Sequence, residues 1–283
     1  MRLAIFLIST ADRKGLLAAI SGFFYERRLN IRECRQYSDT CEHRYFMRIA
    51  IEMEPSLTRR QLEEEFAGLA AELSLDYSIY YSGDPQNIAV MVSRTTHCLY
   101  DLLVRSDEGS LGGRVTLVIG NHPELETAAA RFNIPFYCCP VTPGREKEQE
   151  ARVLEILERQ RIDLIVLARY MRILSDDFIA HYPGRIINIH HAFLPAFQGS
   201  DPYRRAWERG VKMIGATAHY ATRDLDEGPI IEQDVERITH ESTPEDLRDR
   251  GRDIERRVLS RAVQAHLERR VIVSGRRTVV FGK

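Results

Sequence analysis

Leu164-Ile-Val-Leu167 is a four-residue aliphatic run that follows the helical stretch Glu146 to Gln160. An apolar run of that length is a strand with both faces buried. Three runs of the same kind precede it, Ile88 to Val92, Val115 to Ile119 and Phe136 to Cys139, with helical stretches between them. Buried strands alternating with helices predict an α/β fold with a mostly parallel sheet covered on both faces. After Ile214 the strands lengthen. Glu245 to Glu268 is expected as one long helix, and Val271 to Phe281 as a closing hairpin around Ser274-Gly275.

The pattern differs before residue 83. Leu3 to Ser9 is a strand-length apolar run, and Asp12-Arg-Lys-Gly15 is a turn with Asp12 placed to cap a helix. Leu16, Leu17, Ile20, Phe23 and Phe24 recur at helical spacing. Asn30 to Tyr37 and Arg44 to Glu52 alternate as half-buried strands, with polar Ser38-Asp39 between them. Leu62, Phe66, Leu69 and Leu73 form a second helical stripe, and Leu75 to Tyr81 a last strand. The order is βαββαβ. Gly83-Asp-Pro85-Gln-Asn87 is a polar break rich in turn formers. The expected division is therefore 1–82, a linker 83–87, and 88–283.

Composition narrows the function. Lys and Arg total 40 and Asp and Glu 41, so no broad basic field exists to hold nucleic acid. With 44% hydrophobic and 29% charged residues, extended disorder is not expected. No apolar run reaches the roughly 18 residues of a membrane span. The short run after Met1 meets Asp12, Arg13 and Lys14 with no small-residue cleavage site, so no signal peptide is expected. Cys34, Cys41, Cys98, Cys138 and Cys139 form no CxxC and no regular spacing. An odd, scattered set fits a reduced, cytoplasmic protein without a disulfide framework or zinc knuckle.

The densest chemistry lies in Arg185-Ile-Ile-Asn188-Ile-His190-His191-Ala-Phe-Leu-Pro195. Asn188 and His190, two apart on extended backbone, face one side; an amide and an imidazolium there suit a carbonyl oxygen that becomes an oxyanion. A turn-capping Asn and a backbone-satisfied His remain the alternative. The same alternation turns His191 to the other face, in a structural role. Downstream, Ala218-His219-Tyr220 precedes Asp224-Leu-Asp226-Glu-Gly228-Pro229. One of these acids held against a cleft is a general base toward water; a solvated turn is the alternative. Asn, His and Asp at strand ends occupy the place where open α/β sheets bind ligands. The chain carries no HExxH, no GxSxG, no P-loop and no GxGxxG. No ligand cluster is apparent, and neither metal nor cofactor is expected.

Leu167-Ala-Arg-Tyr-Met-Arg-Ile-Leu174, Asn188-Ile-His190-His191-Ala-Phe-Leu-Pro195-Ala-Phe-Gln-Gly199, Ile214-Gly-Ala-Thr-Ala-His219-Tyr220 and Leu225-Asp226-Glu-Gly-Pro-Ile-Ile-Glu-Gln-Asp234 occur in that order. Together they resemble the formyltetrahydrofolate-dependent formyltransferase fold, nearest its deformylase branch, over residues 86–283. Residues 1–82 resemble an ACT domain, an amino-acid-sensing module of ferredoxin-like βαββαβ order. The resemblance implies a Rossmann-like catalytic domain in which Asn188 and His190 polarise the formyl oxygen. It implies that Asp226 handles the nucleophile's proton and that His219 supports it. Met171, Arg172, Ile173 and Leu174, with Thr222 and Asp224 in the loop before Asp226, would hold the pterin. Homo-oligomerisation through the ACT domains and a glycine or methionine effector at Asp12 and Gly15 are further implications.

Two reactions compete: transfer of the formyl group to an amine, or its hydrolysis. Glycinamide ribonucleotide transformylases carry a Gly-rich turn after the first strand that cradles the substrate phosphate. The corresponding stretch here is Val92-Ser-Arg-Thr-Thr-His97-Cys98-Leu99, without glycine. Bulky side chains there obstruct a phosphate's approach to the backbone. Hydrolysis of 10-formyltetrahydrofolate to tetrahydrofolate and formate is thus the favoured expectation, with formate serving purine synthesis and the folate pool kept in balance. An amino-acid sensor without turnover is the third possibility.

Overall fold

The computed structural model describes residues 2–84, 86–194 and 202–282. The first unit begins with β1 (Leu3–Ala11), whose alternate residues Ala4, Phe6, Ile8 and Thr10 are buried. Then come α1 (Leu16–Glu26), β2 (Ile31–Asp39), β3 (Arg44–Glu52), α2 (Arg59–Leu73) and β4 (Asp76–Tyr81). They form a four-stranded sheet in the order β2-β3-β1-β4 with antiparallel neighbours. The arrangement is ferredoxin-like, as expected. Phe6 packs against Phe24 and Phe66, with ring centroids 5.2 and 4.7 Å away, so the two helical stripes close on β1.

Two local expectations are corrected. Asp12 does not cap α1: Gly15 is its N-cap, at φ 93°, with no side-chain hydrogen bond. A left-handed turn immediately before the helix needs glycine, and it leaves the Asp12 side chain out of capping position. Ser38 and Asp39, expected between the strands, belong to β2, and the turn lies at Thr40–His43; the Asp39 carboxylate ends the strand by accepting from the Cys41 and Glu42 N–H groups.

The chain divides between Asp84 and Pro85. Arg269–Ser274 and Val279–Lys283 group with the first unit, and Gly275–Thr278 with the second. Arg48 Nε donates to the Arg269 carbonyl at 2.9 Å and the Arg269 guanidinium covers the Tyr80 ring at 4.0 Å, contacts between segments too distant in sequence to foresee.

The second unit holds a seven-stranded sheet. Its strands are β5 (Asn87–Val92), β6 (Arg114–Gly120), β7 (Phe136–Cys138), β8 (Leu164–Leu167), β9 (Ile186–His190), β10 (Met213–Tyr220) and β11 (Ile230–Arg237), in the order β11-β10-β9-β8-β5-β6-β7. The five from β5 to β9 run parallel, and β10 and β11 are antiparallel additions. Among the helices are α3 (His97–Asp107), α4 (Glu126–Ala130), α5 (Glu146–Arg159), α6 (Asp176–His181), α7 (Pro202–Glu208) and α8 (Pro244–Leu267). A Thr243–Asp246 capping box starts α8. The order reverses between β5 and β8, and the loops after those strands frame the crevice where such sheets bind ligands. Among the described residues, no helix is long and apolar enough to cross a membrane.

Candidate active site

The strand β9 turns Ile187 and Ile189 to one face of the sheet, and Ile186, Asn188 and His190 alternate onto the other. The antiparallel neighbour β10 sets His219 directly opposite Asn188 and Thr217 opposite His190. The β10–β11 loop then returns Asp226 over this pair. Two backbone features hold that loop. Asp226 itself has φ 56°, a left-handed conformation that Asp tolerates better than most residues. Gly228 packs so tightly that a Cβ would fall 1.7 Å from the Tyr220 carbonyl oxygen.

These side chains form one network. His190 Nδ1 lies 3.2 Å from Asp226 Oδ2. His219 Nε2 lies 3.6 Å from Asp226 Oδ1 and 3.2 Å from Asn188 Nδ2. His219 Nδ1 donates to the Tyr220 carbonyl at 3.0 Å, so in the neutral ring Nε2 accepts from Asn188. The His190 hydrogen bond first, and then the nearby His219 ring, outweigh desolvation and hold Asp226 well below the usual carboxylate range. The remaining His190 nitrogen, Nε2, is buried and has no hydrogen-bond partner.

A cleft of about 290 Å³ opens on this network. Asn188, His190, His219 and Asp226 line it, as do Met171, Arg172, Ile173, Leu174 and Thr222. Met171 and Ile173 are 60% and 73% exposed, so beside the cleft these apolar side chains stay open to a flat ligand. Asp224 is not on the lining; its side chain is exposed and its carbonyl accepts from the Thr222 hydroxyl. His191 is a correction. It lines the same cleft and stacks on His190 with centroids 5.1 Å apart, because β9 ends at His190 and strand alternation stops there. Burial first, then the Arg169 charge, lowers its pKa to about 4. Pro195 to Gly199 of the quoted motif lie outside the described residues.

Arg169, although inside the quoted Leu167–Leu174 motif, and Glu255 have no role assigned from the sequence. Arg169 lines the cleft and its Nε lies 3.5 Å from the Glu255 carboxylate, which also meets His97 and Tyr203. His97, Cys98 and Glu255 bring potential ligand atoms within 4.8 Å. The donor set fits a hydrogen-bonded cluster better than a cation site. Both Glu255 oxygens are engaged and a guanidinium faces one of them. The Cys98 thiol is pushed up by burial and by the Glu255 charge, which keeps it protonated.

Residues 86–263 match the formyl transferase family model. The chain is 46% identical over 277 residues to the formyltetrahydrofolate deformylase of Bacillus subtilis, covering 97% of this chain and 92% of that protein. A crystal structure of a formyltetrahydrofolate deformylase from Pseudomonas syringae aligns with a TM-score of 0.96 at 40% identity, covering 100% of this chain and 95% of that one. Glycinamide ribonucleotide transformylase 1 from Symbiobacterium toebii aligns with a TM-score of 0.67 at 33% identity, covering 72% of this chain and 98% of its own.

Proposed function

The chain belongs to the formyltetrahydrofolate deformylase family, and from that premise we propose how its cleft hydrolyses 10-formyltetrahydrofolate to tetrahydrofolate and formate. The observation that carries the assignment of roles is the partnerless, buried His190 Nε2 beside an Asp226 that holds Nδ1. With Nδ1–H committed to the carboxylate, Nε2 is the nitrogen left for the formyl oxygen. Asn188 has two amide hydrogens; one goes to His219 and the other is left for the same oxygen.

Water adds to the formyl carbon, the C=O becomes an oxyanion held by Asn188 and His190, and the carbon–N10 bond then breaks as a proton from the water passes by way of Asp226 to N10. Asp226 at rest is a poor base because its pKa is depressed. As the oxyanion forms, its negative charge stands beside that of Asp226. The proton affinity of Asp226 then rises when the water proton must leave. Asp226 is thus a proton relay that works in step with the oxyanion. The exposed Met171 and Ile173 and the main chain around Arg172 and Leu174 offer the pterin a flat apolar face, with Thr222 on the opposite loop.

Formate release feeding purine synthesis, with the folate pool balanced by the same step, follows from the products. Five free cysteines support a reducing, cytoplasmic setting. No cofactor is required by this scheme. In the first unit, the edge strands β2 and β4 support association with a second copy, and Gly15 at the α1 N-terminus supports an amino-acid effector site. The deciding experiment is formate release by the purified chain with no amine present. Turnover only with an added amine would turn the reading to transfer.

A further inference from the structure

Glu255 sits on α8 with 1% of its side chain exposed. The Tyr203 hydroxyl donates to Oε1 at 2.5 Å, and His97 Nε2 lies 2.8 Å from Oε2. Arg169 Nε lies 3.5 Å from the same Oε2. One turn earlier on α8, Gly251 admits the Tyr203 ring so closely that a Cβ would come within 2.2 Å of it. Burial pushes the Glu255 carboxyl up, yet the His97 hydrogen bond, the Arg169 charge and Tyr203 outweigh burial and hold it below its ordinary value. A buried carboxylate with this many partners is a support, and Arg169 is the group it supports on the cleft side.

Arg169 leaves β8 with φ 63°, a conformation a non-glycine residue adopts only at a cost. Its side chain lines the cleft with Asn188, His190 and His191, and only 16% of it is exposed. Nε and NH1 are buried with no hydrogen-bond partner. Glu255 faces Nε and balances the charge of the guanidinium, while NH1, on the NH1–NH2 edge, is left without an acceptor. Buried donors without acceptors are costly to keep, so this arrangement is built to receive an anion.

The reaction in this cleft makes one. Water adds to the formyl carbon, the carbon–N10 bond breaks, and N10 keeps one proton. The formic acid left behind ionises, releasing the other proton. Formate is a planar monoanion whose two oxygens match a guanidinium fork. We propose that Arg169, backed by Glu255, is the seat of the formate product in the cleft. The proposal rests on the deformylase reading. It also gives the site a bias against transfer, since a protonated amine meets a buried cation.

The test is titration of ¹³C-formate into the intact protein by NMR, with nitrate as a planar competitor and acetate as a bulkier control at constant ionic strength. Wild type should bind formate saturably and nitrate should displace it. Arg169→Met should weaken formate binding by roughly tenfold or more, the scale of a lost charge-assisted pair. Glu255→Gln should weaken it as well while the KM for folate stays put. Arg169→Lys keeps the charge that Glu255 needs but not the planar fork. It should still bind formate several-fold more weakly, and it decides the matter if Arg169→Met does not fold. Absence of saturable formate binding to wild type overturns the proposal. So does unchanged affinity in a folded Arg169→Met or, failing that, in Arg169→Lys. Formate release from 10-formyltetrahydrofolate is followed in parallel, so loss of the subsite with turnover intact is distinguished from failure of the deformylase reading.

Discussion

His190 Nδ1 lies 3.2 Å from Asp226 Oδ2, which joins the end of a sheet strand to a loop residue far along the chain. The contact fixes the imidazole's orientation. It also holds the Asp226 carboxyl below the usual carboxylate range, which suits the oxyanion-donor and proton-relay roles proposed for the two residues.

Asp226→Asn removes the acceptor while keeping the shape. Loss of a general base costs about 10²–10⁴-fold in rate. The expected result is a fall of kcat in that range with folate affinity changed far less. Asp224→Asn and Glu227→Gln, whose parent residues are exposed, serve as controls and should retain most turnover. Steady-state formate release by the three variants checks this, and near-normal kcat in Asp226→Asn would take the residue out of the mechanism.

His190→Ala and Asn188→Ala each delete one preorganised donor, a loss of about 10²–10³-fold in kcat. His191→Ala should cost less, because its ring supports His190 by stacking and carries no assigned proton transfer. Ranking the three by kcat is the measurement, and a greater loss at His191 would exchange the two roles.

The legible part of this chain was local. All-apolar runs announced the parallel strands, and period-two alternation placed Asn188 and His190 on one face because β9 continues through both. Alternation ends with β9 at His190, so it does not extend to His191, which lines the cleft. Arg169 and Glu255 were invisible for another reason. In sequence, Glu255 is one acid among many charges on α8, and only the fold brings Tyr203, His97 and Arg169 around it. Asp12 misled because a Gly15 turn at positive φ moved the helix start past it.

The low pKa of His191, about 4 against an ordinary 6.5, makes it a stability group. Its pKa is depressed on folding, so the unfolded chain takes the proton first as pH falls. The contribution is complete above about pH 6.5, shrinks as pH falls toward 4, and amounts to at most about 3 kcal/mol. His191→Phe keeps a flat ring beside His190 without the titration. Urea midpoints at pH 7 and pH 4.5 should differ less in this variant than in wild type; equal differences would show that His191 is not the titrating group.

The expected absence of a catalytic metal has its own check. The carbonyl activation derived above uses Asn188 and His190, and the clustered His97, Cys98 and Glu255 are committed to hydrogen bonds and a protonated thiol. Exhaustive dialysis against a chelator should leave kcat unchanged. Loss that a divalent ion restores would point to that cluster as a metal site.

The first unit is expected to pair with a second copy and to sense a small amino acid. Backbone N–H groups at the start of α1 follow Gly15, whose φ of 93° opens the turn and leaves space where a side chain would stand. An amino-acid carboxylate suits such a helix start. Regulation requires that the effector bind two states of the enzyme with different affinity, so binding and rate must be measured together. Glycine and methionine titrated into the intact protein should bind, and one of them should change the rate of formate release. Gly15→Val forces a β-branched residue into the left-handed region at a cost of about 1–2 kcal/mol, so its fold is verified by circular dichroism first. In the folded variant the response should be lost or strongly weakened. An equal response would move the effector site away from the turn, and no binding or rate change in the intact protein would leave the first unit with association alone.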